Sequence, residues 1–302
     1  MLGIERKQAV VIPHRRDRRG ELIAYTAPAT VWFLVFMIGP FVAMFYLAFT
    51  EWNSLLATPE FNGIQNFLRL PRDPAFGQAV RNTLVQIVVE LALVIPLGFM
   101  LGYLLVQPFR GRGFLSVVFF VPILVSASAR AMMFVGLYMP DGFINNALSG
   151  IGLDRLTHVW LADPATVLGS VILVDVWAST GFNAVMIASR LSSVPSDLFE
   201  AAGLDGASHW SKMWRIAFPI ILDFIATLTM LHFLWALLSS AQNILLLTRG
   251  GPGNSSMTLG YMLYERAFGT SQLGYSQAIG VVLFFVGILG LLVIRRLIRQ
   301  RY

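Results

Sequence analysis

Six long apolar runs, at 22–49, 82–106, 114–138, 166–190, 220–247 and 278–298, dominate the hydropathy pattern of the chain. Each reaches the roughly 20 residues that a helix needs to cross a hydrocarbon core of about 30 Å. The pattern therefore predicts an all-α integral membrane protein with six transmembrane helices. The first run is long and is expected to break or tilt near Gly39-Pro40, while Pro96 and Pro122 are kink candidates in the second and third. Prolines at such depths are tolerated where neighbouring helices satisfy the freed backbone groups. The polar segments 50–81, 139–165 and 248–277 fall on one side of the membrane, and 191–219 falls on the other.

Composition agrees with this reading. Of 302 residues, 56% are apolar and only 13% charged, against about 25% charged in a soluble domain; the mean hydropathy is +0.69. The absence of cysteine excludes disulfides, thiol chemistry and cysteine-ligated metals. Four histidines, His14, His158, His209 and His232, have no metal-ligand spacing. No phosphate-binding loop of the GxxxxGK(S/T) type is present, so ATP chemistry has to reside on another chain. A membrane-embedded enzyme would need a converging nucleophile–base set or metal ligands, and the pattern offers neither.

The net charge of +6 is distributed in a way that suits anionic lipid headgroups rather than nucleic acid. With the N-terminus inside, the inner segments hold six Lys/Arg in 1–20, two in 107–113, three in 190–219 and four at the C-terminal end, fifteen in all. The outer segments hold six: Arg69, Arg72, Arg81, Arg155, Arg249 and Arg266. This split predicts that both termini are cytoplasmic. Residues 1–21 then form a basic cytoplasmic arm, with Arg15, Arg16, Arg18 and Arg19 close together. The apolar run that follows is too long for a signal peptide and lacks a small-residue cleavage site.

The inner segment 191–219 reads LSSVPSDLFEAAGLDGASHWSKMWRIAFP. Val194-Pro195-Ser196-Asp197 has the form of a helix start, with Ser196 as N-cap and Asp197 and Glu200 in the first turn. Leu198, Ala201, Ala202 and Leu204 make a small apolar face, and Asp205-Gly206 is a turn signal. A second helix carries Trp210, Met213, Trp214 and Ile216, and Pro219 opens the next span. The segment is expected to be a helix–turn–helix on the cytoplasmic surface. An amphipathic interfacial loop with no further role has the same pattern.

Polar residues inside the runs are costly and mark function by default. Glu90, Arg130 and Asp175 each lie about eight or nine residues from an outer edge, hence roughly 12–14 Å deep at 1.5 Å per residue. Their equal depth permits an ion pair of Arg130 with Glu90 or Asp175, which would either fix helix packing or line a translocation path. In the fifth run His232, Trp235, Ser239, Gln242 and Asn243 recur at helical steps and form one predicted stripe. The stripe offers the hydrogen-bonding groups and aromatic face that suit a sugar; the same residues also serve as glue between helices. Trp177 and Asn183 are weaker candidates in the fourth run. An ion-coupled secondary transporter would use Glu90 and Asp175 as coupling carboxylates, although the six runs show no inverted repeat.

Glu200-Ala201-Ala202, Asp205-Gly206-Ala207, Ile216 and Pro219 resemble the EAA loop of permease subunits of binding-protein-dependent ABC importers. The likeness to the sugar-type, MalF-like branch covers roughly 25–298. It includes Asn66-Phe67, Asp73-Pro74 and Asn82-Thr83-Leu84 before the second span, and Arg110-Gly111-Arg112-Gly113 after it. It continues through Trp160-Leu161-Ala162-Asp163-Pro164, Gly181-Phe182-Asn183 and Gly250-Gly251-Pro252. Departures from the pattern are Arg190, Asp223 and Arg249. The resemblance implies a non-enzymatic subunit of a bacterial or archaeal cytoplasmic membrane that forms half of a pore for a sugar-like solute. A second permease, two cytoplasmic ATPases and an extracytoplasmic solute-binding protein would be its partners. ATP and Mg would belong to the ATPase, with no cofactor on this chain. The EAA loop would couple to the ATPase through Glu200, Ala201, Ala202, Asp205, Gly206, Ala207 and Pro219. Glu200 would meet a basic residue there, and Gly206 would allow a close turn. The fifth span would contribute to the solute path.

Overall fold

A computed structural model describes residues 19–238 and 240–298 of the chain. Most of the basic arm, Ser239 of the predicted stripe, and Arg299 and Arg301 lie outside the described residues. The chain divides into two units, Met1–Tyr46 and Leu47–Tyr302. In the first unit, α1 (Arg19–Phe33) passes through a π-helical turn, Leu34–Ile38, into α2 (Gly39–Leu47). The anticipated break at Gly39-Pro40 takes this form because proline cannot donate to the carbonyl four residues earlier and its ring crowds that carbonyl. Widening the preceding turn relieves both problems: Gly39 N–H bonds Leu34 O, and Gly39 itself stays in right-handed helical geometry.

The second unit begins with a two-residue antiparallel ladder, β1 (Thr50–Glu51) on β2 (Glu60–Phe61), the one departure from all-α structure among the described residues. The buried Asn66 amide donates to Ala48 O and Thr50 O and ties α3 (Gln65–Arg69) under it. Next comes α4 (Pro74–Val106), a 33-residue helix that starts eight residues before the predicted span. Its start is set locally. Asp73 accepts from Ala75 N, and Pro74 occupies the first helical position, where its missing N–H costs nothing. Pro96 lies within this helix without ending it.

The third apolar run is a bent pair. Helix α5 (Arg112–Leu124) and α6 (Ala127–Leu137) meet at 100°. The bend comes after Pro122: Val125 is extended, and Ser126 starts a new helix by accepting from Ala129 N. A short helix α7 (Phe143–Gly150) sits in the following segment, where Asn145 bonds Pro140 O, His158 O and the Trp160 indole. Helix α8 (Val167–Leu191) matches its predicted span within one residue.

After α8 come α9 (Ser196–Leu204), α10 (His209–Lys212), a π-helical turn at Met213–Ala217 and α11 (Phe218–Ile220). Helix α12 (Leu222–Leu238) leaves this segment at a 75° bend, and α13 (Ser240–Leu247) follows. The described helical residues of the fifth run after the bend, 222–238 and 240–247, begin two residues inside its predicted start at 220. Helix α14 (Leu259–Tyr264) and α15 (Leu273–Leu297) complete the chain. Four helices among the described residues are long and apolar enough to cross a membrane, and six if each bent pair is one span.

The core of the second unit is built on α4 against α8. Gly98 and Gly102 recur at the four-residue step that lets two helix backbones approach inside a membrane. A Cβ on Gly102 would lie 2.8 Å from Ala184 O, and one on Gly98 would lie 2.9 Å from Asn183 Cβ. This close approach brings the buried polar residues of α4 and α8 within reach of α12 and α13.

Candidate functional site

In the 191–219 segment the helix–turn–helix is present, with one correction: Ser196 is the first helical residue of α9, and Pro195 is the cap, without a side-chain bond. Proline's fixed φ serves that position, so Ser196 is released to solvent. The turn is made by Gly206 at φ +80°, a conformation that L side chains rarely adopt. Ala207 N bonds Ala202 O, and Gly206 N bonds Gly203 O, the paired closure that ends a helix on a left-handed residue. Ser208 then caps α10 by accepting from Ser211 N. A Cβ at Gly206 would meet nothing within 4 Å, so the constraint there is backbone conformation and not a clash within this chain.

Glu200, Ala201, Asp205 and Gly206 are exposed on this loop, and Ala202 and Ala207 are half-buried. Leu204 is 92% exposed and Trp210 63% exposed, an unusual outlay of apolar surface on a polar turn. A cavity of about 670 Å³ opens where the loop meets the ends of α4 and α8, with Tyr103, Leu191, Phe199, Glu200 and Lys212 among its walls. Pro219 follows the π-helical turn Met213–Ala217, the same accommodation as at Pro40.

Deeper in the second unit, polar residues of α4, α6, α8, α12 and α13 converge. Glu90 is fully enclosed, and Asp175, Arg130, Asn243, Gln86 and His232 are all buried. Arg130 does not make the direct ion pair expected of it: among the described residues no carboxylate lies within ion-pair distance. Its Nη2 donates to Asn243 Oδ1 at 3.4 Å, and Asn243 Nδ2 donates in turn to Asp175 Oδ1. An amide is interposed because α13 runs between α6 and α8, and Asn243 can accept from a cation and donate to an anion at once. Glu90 is held separately. Gln86 Nε2 donates to Glu90 Oε1 at 2.7 Å, and His232 Nε2 lies 3.3 Å from Glu90 Oε2.

The predicted stripe of the fifth run divides. His232 and Trp235 line a cavity of about 310 Å³ with Ser179, Phe182 and Asn183 of α8, Ile123 of α5, and Leu228 and Leu231. Asn243 belongs to the charged relay, and Gln242 is exposed. Helical geometry explains this. At about 100° per residue, Asn243 returns to nearly the azimuth of His232, while Trp235 and Gln242 fall some 60–80° to one side. The stripe is two adjacent faces, one packed and one open. Trp177 stays on the outside of α8, 39% exposed and edge-on to Phe134, while Asn183 reaches the cavity wall.

Several residues that matter here carried no functional assignment in the sequence. Gln86 shows itself only as a polar residue one turn before Glu90, the spacing at which helical side chains meet. Asn82 and Thr83 staple α4 to the 250–259 segment: the Asn82 amide donates to Asn254 O, Ser255 O and Met257 O, and Thr83 accepts from Leu259 N. Asp73, besides capping α4, accepts from Arg266 and Tyr275. Among the described residues no group of three His, Cys, Asp or Glu side chains converges to hold a metal.

Residues 94–302 match the family model described as binding-protein-dependent transport system inner membrane component. The chain is 32% identical over 267 residues to the probable ABC transporter permease protein YurN of Bacillus subtilis, covering 87% of this chain and 90% of that protein. It is 31% identical to the diacetylchitobiose uptake system permease protein NgcF of Streptomyces coelicolor, covering 90% and 81%. It is 29% identical to the lactose transport system permease protein LacF of Rhizobium radiobacter, covering 81% and 82%. In fold it is similar to a chain of a bacterial ABC transporter that imports the acidic polysaccharide alginate, with a TM-score of 0.80, 23% identity, and 94% and 97% of the two chains covered.

Proposed function

Because the chain belongs to the inner-membrane components of binding-protein-dependent transport systems, we propose that it forms half of an import path for a sugar or short oligosaccharide. As a permease subunit it is a multi-pass membrane protein and not an enzyme, and membership replaces the ion-coupled alternative. The observation that carries the sugar reading is the 310 Å³ cavity, in which the rings of Trp235 and Phe182 stand beside Asn183, Ser179 and His232. A sugar presents an apolar ring face together with hydroxyls that donate and accept, and this wall offers both kinds of contact. The relatives named for diacetylchitobiose and lactose support the same solute class.

In this reading a second permease supplies the opposite wall, two cytoplasmic ATPases drive the cycle, and an external binding protein delivers the solute. The loop around Glu200 and Gly206 docks on an ATPase, and both termini face the cytoplasm. Exposed Leu204 and Trp210 give the docking contact apolar area, and Glu200 adds a charge. The tight turn at Gly206 keeps the two short helices rigid enough to transmit the motion of the ATPases to α8 and α12.

Uptake of radiolabelled diacetylchitobiose and lactose by cells expressing the complete system tests the cavity. Trp235→Ala is expected to lower uptake about fivefold while the complex assembles normally, since one ring contact is worth about 1 kcal/mol; unchanged uptake would remove the cavity from the path. Orientation is tested by single cysteines, there being none in the chain. An impermeant thiol reagent should label Ser54→Cys in intact cells and Ser211→Cys only after the membrane is opened; the reverse pattern would invert the topology.

A further inference from the structure

The 191–219 loop is joined by the chain to α8 and α12, yet its second half is gripped by α4. The Tyr103 hydroxyl of α4 donates to His209 O at 3.3 Å, across 106 residues of sequence. One turn earlier on α4, the Phe99 ring stands 5.2 Å from Trp214 and 5.3 Å from Phe218. Trp214 in turn meets Trp210 at 5.7 Å and Phe218 at 5.5 Å, so rings in contact run from the exposed turn into the core. Ring pairs at such distances add to the gain from apolar burial. Phe99 and Tyr103 are both buried and belong to one cluster with Ile187, Leu191, Met213 and Ala217. Four residues apart, they share one face of α4. The first half of the loop is held differently: the cavity of about 670 Å³ opens where α9 meets the ends of α4 and α8.

We propose that Phe99 and Tyr103 are positioning residues: they clamp α10 and the π-helical turn to α4, so that α4 carries a displacement of the loop to the wall of the 310 Å³ cavity. The proposal rests on the loop being the coupling element and on the cavity being part of the solute path. The link from α4 to the cavity is short. Gly98, next to Phe99, sets α4 so close to α8 that a Cβ there would lie 2.9 Å from Asn183 Cβ, and Asn183 lines the cavity. Packed side chains and rigid elements in contact pass on a displacement because a close-packed core has little room to absorb it. The connection through α12 is less direct, since the chain turns by 75° where the loop enters that helix. The clamp bypasses this bend and makes the loop, α4 and α8 one body.

The clamp can be read with its own residues intact and without any solute. Spin labels on Arg81→Cys of α4 and Ser211→Cys of α10, in a chain with no native cysteine, report their separation by double electron–electron resonance in the complete complex in lipid nanodiscs. The separation is expected to agree within about 2 Å between the nucleotide-free and ATP-trapped complexes, the scale of a small helix shift; a larger change would show the loop sliding past α4 and would overturn the proposal. Tyr103→Phe keeps the ring and removes one hydrogen bond. It is expected to lower the solute taken up per ATP hydrolysed about fivefold, the weight of one neutral hydrogen bond in the clamped–unclamped equilibrium, while the ATPase co-purifies as with the wild-type chain. That ratio does not depend on how much complex is folded, so a merely structural loss would leave it unchanged. Should Tyr103→Phe not assemble, Phe99→Leu, which keeps apolar bulk and removes the ring, is expected to lower the same ratio. A wild-type ratio in whichever of the two variants assembles would overturn the proposal. Failure of the coupling reading would show instead as wild-type uptake in Gly206→Val, and failure of the cavity reading as unchanged uptake in Trp235→Ala.

Discussion

Glu200 and Glu90 are both helical glutamates, and the chain treats them in opposite ways. Glu200 is exposed on a nine-residue helix whose neighbours Leu204 and Trp210 are also largely uncovered. Glu90 is fully enclosed, with the Gln86 amide donating to one oxygen and His232 Nε2 3.3 Å from the other. The exposed charge costs this chain nothing to maintain and is available for a partner. The enclosed one has to be hydrogen-bonded because unsolvated charge is expensive. In the proposed reading the 191–219 loop is a surface for a docking partner, whereas the buried cluster acts within the chain.

Truncation of charge in the two regions should separate these roles. The largest effect is expected at Arg130. Arg130→Leu leaves Asn243 and Asp175 without their cation, and removal of one member of a buried charged set costs about 3–5 kcal/mol. The yield and thermal stability of the detergent-extracted complex should fall accordingly. The double variant Arg130→Leu, Asp175→Leu should recover a large part of the loss, and strict additivity in that cycle would show that the Asn243-mediated relay does not couple them.

Glu200→Ala should behave in the contrary manner. The isolated chain should keep its stability within about 0.5 kcal/mol, as for exposed sites generally, while the amount of ATPase that co-purifies falls. An interfacial charge pair that loses one partner costs on the order of 2–5 kcal/mol. Full retention of the ATPase would mean that Glu200 makes no such pair.

Gly206→Ala is expected to cost the chain itself less than Arg130→Leu does, about 1–2 kcal/mol from forcing an L residue into left-handed geometry. The space around it is open. Circular dichroism and melting of the purified complex would register it; a loss much larger than this would point to a contact within the chain that the open space does not provide.

How much of this was legible in the sequence differs between the same two regions. The loop could be read because its determinants are local: Pro195, the Asp205-Gly206 turn and the apolar spacing of α9 all act within a few residues. Only the cap was misplaced, by one residue. The spans near α8 and α15 were legible from length and hydropathy alone. The bends at Ser126 and Ile221 were not, because hydropathy does not change where a helix turns inside an apolar run. The buried cluster was legible as a set of residues but not as a set of partners. Asn243 sits between Arg130 and Asp175 only because α13 passes between α6 and α8, and no local pattern encodes that passage. The same holds for Asn82, whose three acceptors lie more than 170 residues away in sequence.

The central claim is that this chain is half of an import pore driven through the 191–219 loop. It is tested most directly by hydrolysis of ATP in the reconstituted complex, stimulated by the solute-loaded binding protein, with Gly206→Val in place of the wild-type chain. A β-branched residue is strongly disfavoured at φ +80°, so the turn that keeps α9 and α10 rigid should be lost while the chain remains inserted and its cavity intact. The expected result is normal assembly in the membrane with stimulated hydrolysis and uptake abolished. Wild-type stimulation and uptake in Gly206→Val would contradict the claim that this loop drives the pore.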